Sequence, residues 1–332
     1  MHYLYLGKTG LRISALALGT QTFGWNIDEE QSKELLDQYG EAGGNYFDTA
    51  DSYNGGESER ILGAWLHERG ERDKQIIGTK VFFPTSNDVN ESGASRKHIL
   101  NSIDSSLRRL QTEYIDLLQI HCFDRRTPLE ETLRTLDDLV RLGKVRYIGA
   151  SNYTPSELMK ALMLSRFHHW EAFTCLQLEY SLLVRSAEWE LIPLCQQEGL
   201  GMLAWSPLAG GWLSGKYRRG KDIPSDSRAG RKDRWDDSEE QRGSAQAYEI
   251  IEVLHEIAAE VGRSVSQVSL NWIRKQSVGV VPLIGSRTKS QLQENLEALE
   301  WELDELQMRR LDEVSSIDLP SPYSFIERYT RK

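Results

Sequence analysis

Cysteine is scarce. Cys122, Cys175 and Cys195 are the only three in 332 residues. An odd set with no C-x-x-C spacing argues against a disulfide framework and against a structural zinc site. Long apolar runs are also lacking: none approaches the ~20 residues of a membrane-spanning helix. The opening MHYLYLGKTGLRIS lacks the charged-then-apolar order of a signal segment. It reads instead as a β-hairpin turning at Gly7-Lys8-Thr9-Gly10. Positive charge is in deficit, with a net charge of −10. That removes any long-range attraction to nucleic acid or to an anionic membrane. These absences together lead us to expect a reducing, cytoplasmic setting and a small-molecule partner.

What is present is ordinary core material, 39% hydrophobic and 27% charged. The length admits two domains of ~150 residues or one closed α/β barrel. Short apolar runs decide between these. They are Ile13 to Gly19, Asn45 to Ala50, Gln75 to Lys80, Tyr114 to His121, Val145 to Ala150, Phe173 to Leu178, Gly201 to Trp205 and Gly279 to Gly285. Eight such runs, apolar on both faces, read as buried parallel strands. Helical periodicity separates them. Ser95 to Leu110 aligns Ile99, Ile103, Leu107 and Leu110. Thr127-Pro128 and Thr154-Pro155 read as caps followed by proline at the first helical position. The spacing predicts a (β/α)8 TIM barrel with an N-terminal β-hairpin, one domain over 1–332. One segment breaks the rhythm, Arg218 to Gly243, which is charged and nearly free of apolar residues. It reads as a solvated loop, or as a lid with Trp235 as its contact residue.

In such barrels chemistry sits where strands run out. The polar residues there are Asp48 with Tyr53 beyond it, Lys80, His121, Ser151 and Asn152, Gln177, Trp205 and Ser206, and Gly285, Ser286 and Arg287. Alternation puts Lys80 on the face of Ile76 and Gly78, and His121 on the face of Leu117 and Gln119. An ammonium beside a phenol favours the phenolate, and a carboxylate beside the ammonium keeps it charged. A histidine can hydrogen-bond a substrate oxygen. Such a set suits proton donation to a carbonyl while hydride attacks its carbon.

The motifs GTQTFG (19–24), FDTADSYNGGESE (47–59), GTK (78–80), QIH (119–121), GASNY (149–153), QLEYS (177–181), WSPLAGGWLSG (205–215) and IGSRTKSQLQEN (284–295) carry a resemblance. The chain resembles the aldo-keto reductase superfamily over nearly its whole length. It is most similar to the branch of the potassium-channel β-subunits and their bacterial relatives. The resemblance implies Tyr53 as general acid, Lys80 tuning it, Asp48 holding Lys80 and His121 orienting the carbonyl. It implies an extended nicotinamide dinucleotide held without a Rossmann fold, consistent with the lack of a G-x-G-x-x-G after a strand. Ser151, Asn152 and Gln177 match the carboxamide site. Trp205 matches the stacking position, where tyrosine is frequent in the superfamily. Gly210, Gly211 and neighbours including Ser206 and Leu208 match the pyrophosphate loop. Ser286 and Arg287, after Gly285, match a 2′-phosphate site, and Gln291 and Asn295 the adenine end. Arginine's permanently charged fork favours NADPH.

Trp25, Phe82 and Phe123 are candidate pocket walls, with Phe83 beside them. Asp51 reads as a turn or cap residue, and Gly55-Gly56 as a turn into the next helix. His168 and His169 point apart on a helix, so no metal site is expected. Two other functions are open: an NADPH-binding redox sensor with little turnover, and a Schiff-base aldolase using Lys80.

Overall fold

A computed structural model describes the chain except residues 226, 228, 229, 231–242, 277, 278, 331 and 332, and the side chain of Glu327. Eight parallel strands close into a barrel: β3 (Ala17–Gly19), β4 (Tyr46–Asp48), β5 (Ile76–Val81), β6 (Ile115–Ile120), β7 (Val145–Ser151), β8 (Cys175–Glu179), β9 (Gly201–Trp205) and β10 (Val280–Ile284). Closure comes from pairing of β10 with β3, Leu283 opposite Ala17. The remaining two strands, β1 (Tyr3–Tyr5) and β2 (Arg12–Ser14), form the expected antiparallel hairpin.

The run Ile13 to Gly19 is therefore not one strand. Its first part pairs with β1 and its last part enters the barrel, with Ala15 and Leu16 buried at the corner. Apolar continuity cannot reveal such a change of partner, because both halves are buried. The hairpin closes the end of the barrel where strands begin. Lys8 donates its backbone N–H to Gly199 O at 2.9 Å. Leu6 and Ile13 pack with Ala17, Tyr46, Leu117, Cys175 and Leu203, which fill the interior.

Helices cover the outer surface. Ser95 caps the helix Arg96–Leu110, and Thr154 with Glu157 makes a capping box on Pro155–His168. Thr127 does not cap. Its hydroxyl donates to Asp124 at 2.7 Å, and the helix Leu129–Arg141 begins one residue after Pro128. Pro128 is extended, with ψ 129°, so the helix starts after it and Thr127 lies too far back to cap. Between the helices and the barrel lies the larger core, which includes Leu36, Phe47, Trp65, Ile103, Leu136, Leu162 and Trp272. No described helix is long and apolar enough to cross a membrane. The lid or loop expected over Arg218 to Gly243 falls largely outside the described residues, and Trp235 lies wholly outside them.

Candidate active site

Period-two alternation aims one face of every strand into the barrel. On that face the apolar residues at the strand starts give way to polar ones at the ends. On β4 Tyr46 is followed by Asp48, on β5 Ile76 by Lys80, on β6 Leu117 by Gln119, and on β8 Cys175 by Gln177. Register aligns them: Asp48 lies opposite Gly78, and Lys80 opposite Gln119. Gly78 leaves the room that the Tyr46 ring occupies, since a Cβ there would meet the phenol oxygen at 2.5 Å.

Lys80 is fully buried and its ammonium has three acceptors. It pairs with Asp48 Oδ1 and donates to the backbone oxygen of Thr49 at 2.9 Å and to Tyr53 Oη at 3.2 Å. Burial alone pulls an ammonium down, but Asp48 and Tyr53 offset it and hold Lys80 above its ordinary value. Tyr53 runs against the sequence expectation. Burial raises the phenol, the Lys80 ammonium only partly opposes that, and Asp48 adds to the rise. The net direction is upward, so Tyr53 is a protonated phenol. His121 is pushed down to about 2 by burial and then by Lys80, so its imidazole is neutral. Its ring lies 5.8 Å from that of Tyr53, edge-on.

Asp48 is the hub. Its Oδ2 accepts from Gln177 Nε2 at 2.8 Å, from Gln119 Nε2 at 3.3 Å and from Tyr46 Oη at 3.3 Å. Sequence reading missed Tyr46 and Gln119, although both share strand parity with residues it selected. Among the aromatic candidates, Phe83 rather than Phe82 meets His121, with centroids 4.7 Å apart. Phe82 packs on Phe83. Phe123 turns onto Tyr153 at 5.2 Å and joins the outer core. Trp25 stands 39% exposed in the loop after β3, and no ring contact joins it to these side chains among the described residues.

On the opposite side of the mouth, Asn152 is in the left-handed region, φ 56°. Its Nδ2 donates to His121 O and Ser151 Oγ, both at 3.0 Å, and its Oδ1 accepts from Trp205 Nε1 at 3.0 Å. Both amide protons are thus committed to protein. The groups left over are the Ser151 hydroxyl proton, Gln177 Oε1 and the second lone pair of Asn152 Oδ1. One donor and two acceptors fit a primary carboxamide.

After β9 the chain turns sharply, with Ser206 (φ 51°) and Ala209 (φ 48°) left-handed beside Gly210 and Gly211 (φ 67° and 98°). Leu208 O anchors the turn by accepting from Gly211 N at 2.8 Å and Leu213 N at 3.2 Å. Beyond β10, exposed Gly285 leads to buried Ser286, whose Oγ accepts from Asn295 Nδ2 at 3.3 Å. Gln291 Oε1 accepts from Arg287 N at 2.9 Å. Among the described residues no carboxylate pairs with the Arg287 side chain.

Comparison with known proteins shows the family. The model of the aldo/keto reductase family matches residues 15–316. The uncharacterized oxidoreductase YrpG of Bacillus subtilis is 38% identical, over 95% of this chain and 96% of its own. Aldo-keto reductase AMT2 of Alternaria alternata is 34% identical, over 97% and 94%. Norsolorinic acid reductase of Aspergillus flavus is 32% identical, over 98% and 84%. The chain belongs to the aldo/keto reductase family. It is an oxidoreductase whose class of reaction is carbonyl reduction with a nicotinamide cofactor.

Proposed function

We propose that this protein reduces small aldehydes or ketones to alcohols with NADPH, and that Tyr53 supplies the proton. One observation carries the reading: a buried Lys80 ammonium bridges the Asp48 carboxylate and the Tyr53 hydroxyl. When bound, the nicotinamide supplies the hydride. The chain's residues do the rest. Neutral His121 donates an N–H to the carbonyl oxygen and holds it against Tyr53. The phenol gives its proton as negative charge develops on that oxygen. Lys80, fixed by Asp48, stabilises the phenolate left behind. Phe83 walls the His121 ring.

Ser151, Gln177 and Asn152 would hold the carboxamide, with Trp205 as the stacking face. Ser206, Leu208, Gly210 and Gly211 would pass the pyrophosphate. Gly285, Ser286, Arg287, Gln291 and Asn295 would hold the adenosine end. An arginine unpaired among the described residues, beside a serine hydroxyl, suits a 2′-phosphate and favours NADPH over NADH. The aldolase reading is less well supported. A Schiff base needs a neutral amine, and Lys80 is held protonated among three acceptors.

The test is NADPH-dependent reduction of 4-nitrobenzaldehyde by the wild type and by Tyr53→Phe. Loss of two or more orders of magnitude in kcat is expected, in line with removal of a general acid. Full turnover by the variant would overturn the assignment of Tyr53.

A further inference from the structure

Asp51 follows β4 by three residues and precedes Tyr53 by two. The sequence suggests a turn or cap residue, yet the structure buries it to 1% exposure. Its backbone N–H donates to Lys80 O at 3.1 Å, so this turn hangs directly on the strand that carries the ammonium. Ser102, from the helix Arg96–Leu110, donates its hydroxyl to Asp51 Oδ2 at 2.5 Å. Oδ1 is buried with no hydrogen-bond partner. A carboxylate in that position lacks the donors that its charge requires, whereas a neutral carboxylic acid suffers far less.

The surrounding charges point the same way. From the helix Glu57–Arg69 comes Glu59, fully buried. It accepts from Thr79 Oγ1 at 2.5 Å and from Arg109 Nε at 2.8 Å. Arg109, on the helix of Ser102, is thereby engaged by Glu59. From the barrel side come Lys80, already shared by Asp48 and Tyr53. His98, also on the Ser102 helix, is held neutral by its own burial, and the charge that acts on it is that of Glu91. Burial and then Glu59 push Asp51 up, Ser102, Arg109 and the backbone N–H of Ser52 oppose them, and the balance is about 7. Asp51 in turn acts on Tyr53, where its charge disfavours loss of the phenol proton.

We propose that Asp51 is a positioning residue for Tyr53 that also sets its acidity: neutral and held by Ser102 it leaves the phenol a competent acid, and once ionised it withholds the proton. This rests on Tyr53 being the acid. No covalent step is involved. One proton leaves Asp51 for solvent, and a negative charge appears behind the phenol.

The test is kcat/KM for 4-nitrobenzaldehyde reduction with saturating NADPH between pH 5.5 and 9, for wild type, Asp51→Asn and Ser102→Ala. In the wild type the rate falls through an inflection near pH 7. Asn accepts from Ser102 but carries no charge, so Asp51→Asn loses that inflection and is severalfold faster than wild type at pH 8.5. Ser102→Ala removes a bond to the ionised form and moves the inflection up by roughly half to one unit. A structural role alone would lower thermal stability and leave the profile's shape unchanged. Wild-type-shaped profiles in Asp51→Asn, or an unmoved inflection in Ser102→Ala if Asp51→Asn does not fold, overturn the proposal. Tyr53→Phe separates the two readings. An active Tyr53→Phe removes the foundation, whereas an inactive one beside an unaltered Asp51→Asn profile removes only this inference.

Discussion

Trp205 donates its indole N–H to the side-chain oxygen of Asn152 at 3.0 Å, and Asn152 in turn donates to the backbone oxygen of His121 at 3.0 Å. The Trp205 ring is thus tied to the strand end that carries the imidazole. A tyrosine hydroxyl at position 205 sits on the ring axis and cannot make this sideways bond. Trp205→Phe keeps an aromatic face and removes the bond. Its NADPH Kd should rise about fivefold, the worth of one ordinary hydrogen bond, as read by cofactor titration. An unchanged Kd would show that the ring needs no tether.

Lys80 and Asp48 are both enclosed, so the pair stands or falls together. Lys80→Met strands a buried carboxylate and should cost about 3–5 kcal/mol of stability. Adding Asp48→Asn removes the unpaired charge. Denaturant unfolding should therefore find the double variant more stable than Lys80→Met alone, with both inactive. A simple sum of the two single losses would contradict the coupling.

Because burial holds His121 neutral, its ring nitrogens should show no titration by ¹⁵N NMR from pH 5 to 8. The linkage sign follows. The folded value lies below the unfolded one, so stability is full above the ordinary histidine value of about 6.5 and declines as pH falls through it. A ring titrating near pH 6 would mean that water reaches it.

Asp51 has the opposite linkage. Its folded value is about 7 against an unfolded 3.8. Between those values the folded state binds a proton that the unfolded state has released. Its contribution to stability therefore falls as pH rises from 3.8 to about 7 and is level above. The Tm difference of Asp51→Asn over wild type should accordingly grow in the variant's favour from pH 5 to 7 and then stay constant. Calorimetry at three pH values checks this.

In the proposed NADPH site, Arg287 would offer its fork to the 2′-phosphate. Arg287→Leu should lower the kcat/KM preference for NADPH over NADH about tenfold or more, the worth of a charge-assisted bond to phosphate. Equal losses with both cofactors would point to a structural role instead.

Much of this site was legible in the sequence, for a definite reason. Strands of period two, ended by polar residues, reveal which side chains share the barrel mouth. Asp48, Lys80 and His121 follow directly, and Tyr53 follows from its motif. Parity alone also contained Tyr46 and Gln119, but nothing in one sequence says which polar neighbour reaches a given carboxylate. Asp51 lies in a turn, as expected; its burial against Ser102 was not legible, because Ser102 is remote in the chain and comes from a helix whose packing only the folded structure sets. Phe83 and Phe82 were indistinguishable, since past a strand end the alternation that assigns faces no longer holds. The hairpin and the first barrel strand merged for the converse reason: two buried elements left no polar mark between them.

That hairpin has a consequence for the order in which the molecule can be assembled. Its turn docks on residues near Gly199, and β3 is flanked by β4 and β10. Within this sequence the hairpin turn and the outer side of β3 therefore meet partners that lie far downstream, although β4 follows β3 closely. Such distant pairings are entropically slow. Until they form, the apolar faces of Leu6, Ile13 and Leu18 are exposed in the nascent chain, and it is in this interval that it most needs shielding from self-association.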